Sequence, residues 1–172
     1  MPKSVRYTLQ LAEFLAALSA CESEASAALT AVERAAEALD AEVAAIVCCG
    51  EVVAAVGYAQ GAVPAAELSS VSGGGGELSV PGIGACPATA VALEHPPGGI
   101  LVLARSGPDV FTGQEARLLR GMGSVTSLTM RMLRVLDDER AAREESDRHA
   151  AENARLLATL SEHTAMLERL AR

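Results

Sequence analysis

Aromatic residues are scarce in this chain of 172 residues, which has no tryptophan, two phenylalanines and two tyrosines. Half of the residues are nonetheless apolar, and 34 of the 172 are alanine. The interior must therefore be aliphatic. Because alanine is the best helix former and buries little area per residue, this composition favours closely packed helices over a bulky core. The length suits one domain, or one domain with an extended appendage.

Positive charge is also scarce, since the formal net charge is -8 and Lys3 is the only lysine among 14 cations. The sequence has no dense basic cluster, which excludes the electrostatic footprint of a nucleic-acid-binding protein. It also has no run of 18 uncharged apolar residues and no signal-peptide core after Met1. We therefore expect a soluble, cytoplasmic protein without a membrane partner.

The four cysteines, Cys21, Cys48, Cys49 and Cys86, show no CxxC spacing, which excludes a zinc knuckle and a thioredoxin-like motif. Cys48 and Cys49 fall in a predicted strand with no cation within ten residues, so they are interpreted as small hydrophobes rather than redox thiols. Cys86 lies in a glycine-rich loop and is the better candidate for a reactive thiol. We expect no metal site.

The periodicity of apolar residues changes twice in the first half of the chain. Helical spacing from Tyr7 to Leu39 predicts two helical stretches, hinged near Cys21 to Glu24. The apolar runs Val43 to Cys49 and Val52 to Tyr58 then predict two strands joined by a tight hairpin turn.

Proline and glycine dominate Gly61 to Pro87, which predicts a loop with one short strand, Glu77 to Val80. Two more apolar strands are predicted at Ala88 to Glu94 and Ile100 to Ala104, joined by a turn that contains His95. A haem-ligand role for His95 is disfavoured, because a turn position predicts exposure to solvent. The sheet should have four clear strands and one short one.

Thr112 and Glu115 have the spacing of a capping box, which predicts that a helix begins there. The segment from Thr112 to Arg172 contains no proline and only three glycines. A helix of about 60 residues would be roughly 90 Å long, more than a compact domain contains. We therefore expect it to project and to have a partner helix.

A heptad frame with Val125 at a and Leu128 at d gives nine apolar residues among 14 seam positions, clustered at the two ends around a polar middle, Asp137 to Asn153. The lone Asn153 at an a position favours a parallel two-stranded coil. The predicted dimer interface consists of Val125, Leu128, Met132, Val135, Asn153, Leu156, Leu160, His163, Leu167 and Leu170. Two alternatives stay open: a second frame fits nearly as well, and a solvated tail could fold back on the domain.

The succession of helix, hairpin, loop, hairpin, capped helix and coiled coil resembles a GAF domain followed by a signalling coiled coil in a bacterial signal-transduction protein. The resemblance covers about Leu29 to Leu136. It is carried by the strands Ala88-Thr89-Ala90-Val91-Ala92-Leu93 and Gly99-Ile100-Leu101-Val102-Leu103, and by Phe111-Thr112 with Glu115 at a helix start of the pattern F-T-x-x-E.

The resemblance implies an α+β fold: an antiparallel sheet of about five strands between N- and C-terminal helices, followed by the long helix. It implies a GAF-like domain at 1–136, including N-terminal helices at 1–40, and a parallel coiled coil at 137–172. It also implies a pocket for a small molecule, for which Tyr58, Cys86 and Val91 are the candidate ligand-binding residues. The segment that would cover the pocket is short, and the cyclic-nucleotide and bilin motifs are missing, so we expect no nucleotide, bilin or haem cofactor.

No nucleophile elbow or phosphate loop is present in the sequence, so we expect no catalytic residues. The sequence predicts a non-catalytic sensory or regulatory module, a homodimer that transmits a signal through its coiled coil to an output domain beyond Arg172. The alternative is a purely structural dimerisation module with a closed pocket and no ligand.

Overall fold

The computed structural model describes residues 3–59, 62–71, 75–94, 98–107 and 111–171. The predicted turn with His95 lies outside these residues. The chain divides into two compact units, Met1–Arg134 and Val135–Arg172. The elements in chain order are α1 (Lys3–Ser19), α2 (Glu24–Leu39), β1 (Val43–Cys48), β2 (Glu51–Val56), α3 (Ala65–Ser70), β3 (Gly76–Val80), β4 (Gly84–Leu93), β5 (Gly99–Ala104) and α4 (Gly113–Leu170).

The five strands form one antiparallel sheet in the order β2-β1-β5-β4-β3. The sheet and the long C-terminal helix confirm the predicted α+β fold class. β1 lies between β2 and β5 and is buried along almost its whole length, which explains its unbroken apolar run. The hinge between the two N-terminal helices is also confirmed, because Ser23 caps α2 and exchanges hydrogen bonds with Ser26.

Three predictions of local structure were wrong. The segment 61–87 is not all loop around one short strand: it contains α3, and β4 begins in it at Gly84, four residues earlier than predicted. Cys49 is not in a strand, because β1 ends at Cys48 and the chain turns through Cys49 and Gly50, both with positive φ. Cys49 is consequently exposed rather than buried. A two-residue turn with two positive φ angles matches the twist of the flanking strands.

Alternation along the strands divides the core of the first unit into two layers. On one face of the sheet, Ala44 and Ile46 of β1 share an apolar cluster with buried residues of α1, α2 and α4. On the other face, Val43, Ala45 and Val47 pack with Leu68 of α3 and with β3. The sheet is therefore covered by three helices on one side and by α3 on the other.

The second unit is the C-terminal part of α4, and every residue in it whose burial is described is exposed. Its charged residues pair along the helix, as Arg140 does with Asp137 and Arg143 with Glu139. Exposed pairs of this kind contribute little to stability. In the part of the chain that the structure describes, no helix is long and apolar enough to cross a membrane.

Candidate functional site

The three residues predicted to bind a ligand do not lie on one side of the sheet. Tyr58 and Cys86 pack with the cluster on the α3 side. Val91 of β4 packs on the opposite side, against the cluster formed with α1, α2 and α4. Because side chains alternate along a strand, Val91 and the even-numbered Cys86 of the same strand point to opposite faces. The structure therefore does not bring these three residues together into one site.

The α3 side of the sheet is packed with aliphatic side chains. Leu68, Val71, Leu78 and Val80 are each at most 4% exposed, and Cys86 is buried among them. The Tyr58 hydroxyl is buried and has no hydrogen-bond partner among the described residues. Burial raises the pKa of this phenol, and the nearby negative charge of Glu67 raises it further. Tyr58 is therefore a neutral hydroxyl at physiological pH.

A groove of about 520 Å³ lies on the other side of the sheet, between β4 and the first five turns of α4. We call it the β4–α4 groove. Its lining residues are Thr89, Ala90, Val91, Ala92, Glu94, Ala116, Leu119, Arg120, Ser124, Ser127, Leu128 and Arg131. Gly123 lets the helix approach the strand, because a Cβ atom there would lie 2.8 Å from Val91. The groove thus lies beside a point of close backbone approach.

Four polar residues of α4 line this groove at regular spacing: Arg120, Ser124, Ser127 and Arg131. They are separated by four, three and four residues, so they form one stripe along the helix. The hydroxyl of Ser127 is buried without a hydrogen-bond partner in the described structure, whereas Ser124 donates to the carbonyl oxygen of Arg120 at 3.1 Å. This stripe was not among the predicted site residues, although its spacing of four, three and four residues is present in the sequence.

The first turn of α4 is fixed by Arg105, which follows β5. Its guanidinium donates to both carboxylate oxygens of Glu115, at 2.8 and 3.2 Å, and lies 4.4 Å from the centre of the Phe111 ring. Glu115 also accepts a hydrogen bond from the backbone of Thr112, and the Thr112 hydroxyl accepts one from the Glu115 backbone. The predicted capping box is therefore present, and Arg105, which was not among the predicted site residues, extends it.

The charge of Glu115 is strongly stabilised. Burial favours the neutral acid, but the hydrogen bonds from Arg105 and Thr112 outweigh it and lower the pKa to about 2. The carboxylate is accordingly charged at every physiological pH.

A second ion pair holds α4 at the end of the first unit. Arg134 donates to both carboxylate oxygens of Glu24, at 3.1 and 2.6 Å. Glu24 is in the first turn of α2, where a negative charge is favourable to the helix dipole. Near this pair lies Cys48, whose thiol pKa is raised by burial, then by the charges of Cys49 and Glu24. Cys48 is thus held as a neutral thiol.

Most residues of the predicted dimer interface are exposed in the single chain. Leu128, Met132 and Val135 are 58–59% exposed, and Leu156, Leu160, Leu167 and Leu170 are 57–74% exposed. Asn153 and His163 are also exposed. Val125 differs, because it is half-buried and packs against the core of the first unit. The described residues contain no group of three or more His, Cys, Asp or Glu side chains placed to hold a metal ion.

The fold is similar to that of GAF domains of known structure. One belongs to a protein described as a sensor histidine kinase from Pseudomonas syringae pv. tomato, with 19% identity over 81% of this chain and 94% of that chain, at a TM-score of 0.58. Another belongs to an Acinetobacter phosphoenolpyruvate-protein phosphotransferase, with 14% identity over 77% and 97% of the two chains, at a TM-score of 0.58.

A third similar structure is the GAF domain of a phosphoenolpyruvate-protein phosphotransferase from Coxiella burnetii. It has 15% identity, covers 78% of this chain and 98% of that chain, and has a TM-score of 0.59. No protein-family model and no curated protein matches the sequence. At these identities the likeness shows the fold, which is that of a GAF domain with a long C-terminal helix.

Proposed function

We propose that this chain is a non-catalytic regulatory module that forms a parallel homodimer through α4 and transmits a signal along that helix to an output domain in the same cytoplasmic polypeptide. The observation that carries the proposal is the row of large apolar side chains left exposed on α4. Two similar folds belong to a phosphotransferase and one to a protein described as a sensor kinase. The likeness to these domains supports a regulatory role.

The spacing of the exposed residues supports a helical partner. Leu128, Met132 and Val135 follow one another at intervals of four and three residues, as do Leu156, Leu160 and His163. This alternation places them on one face of a helix and matches a coiled-coil seam. Burying a leucine side chain fully is worth about 1.5–3 kcal/mol, so a few such residues outweigh the cost of ordering two helices. A second copy of the chain supplies a seam of the same pattern.

Analytical ultracentrifugation of the wild type and two variants tests the dimer. The wild type should sediment at micromolar concentration with twice the 17.6 kDa mass of one chain. Leu160→Glu should shift it toward the monomer, because a carboxylate in the seam loses hydration without gaining a partner. Ser161→Glu adds the same charge at the adjacent position outside the seam and should remain dimeric. A monomeric wild type, or equal dissociation of both variants, would reject the proposed interface.

A structural dimerisation module without a ligand is the second candidate function. The aliphatic packing of Leu68, Val71 and Leu78 on the α3 side favours it, since these side chains occupy the face where the resemblance implies a pocket. Both candidates predict purified protein without nucleotide, bilin or haem. Absorbance of the native protein and mass spectrometry of its denatured supernatant check this, and stoichiometric recovery of any of these ligands would contradict both.

A further inference from the structure

We propose that the β4–α4 groove is a binding site for a small amphipathic monocarboxylate, a molecule with one carboxylate and a short apolar body. The groove lies on the helix-covered side of the sheet, opposite Tyr58 and Cys86. The proposal goes beyond the regulatory function proposed above and does not depend on dimerisation, because every lining residue belongs to the first unit of one chain.

The walls of the groove suit the apolar part of such a ligand. Val91 of β4 and Leu119 of α4 line it, and Leu128 lines it farther along the same helix. At about 520 Å³ it falls within the size range of small-molecule sites. The short aliphatic side chains of this lining suit an acyl chain of a few carbons.

The charges of the groove suit a single carboxylate. Arg120 and Arg131 have no ion-pair partner in the part of the chain that the structure describes, and Glu94 is the only acidic residue that lines the groove. Two positive charges and one negative charge leave a net of one positive charge. This balance favours a monoanion, whereas a phosphate ester would place a second negative charge beside Glu94.

The position of the carboxylate follows from the spacing on α4. At 1.5 Å per residue, Ser127 lies about 6 Å along the axis from Arg131 and about 10 Å from Arg120. Side chains on a helix lean toward its N-terminus, so Arg131, about one turn after Ser127, is placed to reach the level of Ser127, whereas Arg120 lines the groove nearer the start of α4. The Ser127 hydroxyl lacks a hydrogen-bond partner among the described residues, and rotation about its Cα–Cβ bond turns it toward the groove, where it can donate to an anion. Thr89 lines the groove from β4.

Leu128 links this site to the proposed dimer. It lines the groove and is also 59% exposed in the row of α4 residues that includes Met132 and Val135. A ligand that contacts Leu128 therefore acts on a side chain of the seam. Such a contact gives the bound and unbound forms different packing at the interface, which is what a regulatory ligand requires.

Isothermal titration of the full chain with butanoate, hexanoate and octanoate tests the site, with 1-octanol as the uncharged probe. Each methylene that becomes buried should raise affinity up to about fourfold, so octanoate should bind about tenfold or more tightly than butanoate. The expected Kd for octanoate is about a millimolar or below. Octanol should bind more weakly than octanoate by about tenfold, because it lacks the charge-assisted hydrogen bonds.

Matched variants distinguish the site from general affinity for fatty acids. Arg131→Gln should weaken octanoate binding about tenfold and Arg120→Gln should weaken it by a smaller factor, while both variants leave octanol binding unchanged. Ser124→Leu should reduce binding of both probes, because the new side chain occupies the groove from an exposed helix position. The control is Arg117→Gln, which removes an exposed arginine of the same helix outside the groove and should bind octanoate like the wild type.

Three results would overturn the proposal: no binding of any probe at millimolar concentration, equal binding of octanoate and octanol, or equal loss in the Arg131→Gln and Arg117→Gln variants. Octanoate binding should persist in Leu160→Glu, since that residue is in the other unit. If the protein is monomeric and binds octanoate, the proposed dimer is wrong and the proposed site is supported. If it is dimeric and binds none of the probes, the dimer is supported and the site is wrong.

Discussion

The hydrogen-bonded pair of Arg105 and Glu115 predicts that the free energy of unfolding falls at acid pH. Their side chains are 14% and 16% exposed, and the Glu115 pKa is lowered from 4.5 to about 2. A shift of this size corresponds to about 3 kcal/mol of stabilisation at neutral pH. Because the folded-state pKa lies below the unfolded-state value, the contribution is complete above about pH 5 and is lost as the pH falls through 4.5 toward 2.

Glu115→Gln keeps the shape of the side chain and removes its charge. We expect it to lower the free energy of unfolding by about 3 kcal/mol at pH 7 and by about 1 kcal/mol at pH 3, where most of the linkage is gone. Urea unfolding followed by tyrosine fluorescence measures this, since Tyr7 and Tyr58 are both in the first unit and the chain has no tryptophan. Protein concentration must be held constant, because dimerisation shifts apparent stability.

The control for this series is Glu33→Gln, which neutralises an exposed carboxylate on α2 and should change stability by less than about 0.5 kcal/mol at either pH. A Glu115→Gln effect below about 1 kcal/mol at pH 7 would refute the reasoning, because the pair would then contribute no more than a surface ion pair. An effect of the same size at pH 7 and pH 3 would also refute it, since the loss would then come from packing rather than charge.

Three further expectations concern turns and the long helix. Gly57→Ala should lower the free energy of unfolding by about 3 kcal/mol or more, because its Cβ would lie 2.0 Å from the Glu42 carbonyl oxygen. Gly50 also has a positive φ but lies in open space, so Gly50→Ala should lower the free energy of unfolding by only about 1–2 kcal/mol in the same urea assay. Cys49→Asn should raise stability by about 0.5–1 kcal/mol, since asparagine tolerates the φ of +54° at this turn position, and an unchanged urea midpoint would contradict this. Hydrogen exchange followed by mass spectrometry should be faster in Asp137–Asn153 than in Leu156–Leu170, because the middle of the seam is polar, and uniform protection would remove the basis for a switch there.

The sequence predicted the elements that depend on local pattern. The strand β1 and the Thr112–Glu115 capping box could be predicted, because strand burial and helix capping each depend on residues that are close together in the sequence. The helix α3 was missed, since its six residues, Ala65–Ser70, lie in a proline- and glycine-rich segment where tertiary contacts of Leu68 decide the structure.

The candidate site was less predictable than the fold. Cys86 and Val91 point to opposite faces because both lie in β4, and the predicted strand lacked the residues before Ala88. The β4–α4 groove depends on how closely a helix approaches a strand from a distant part of the chain, here at Gly123. The spacing of residues within one segment does not predict this distance between helix and strand. The roles proposed for Arg120 and Arg131 therefore depend on the folded chain and not on local sequence.

The parallel dimer is tested most directly by distances between spin labels attached at the same residue of two chains. Each variant carries one label, attached to Arg140→Cys or to Ser161→Cys. The exposed and half-buried cysteines are first removed by Cys49→Asn and by replacing Cys21 and Cys48 with alanine, whereas Cys86 is kept because it is buried. The two labelled positions are 21 residues apart, about 32 Å along a helix. A parallel dimer in register predicts two short and similar distances. An antiparallel pair would make at least one of them exceed about 30 Å, and the absence of any distance between chains would show that α4 does not form the dimer at all.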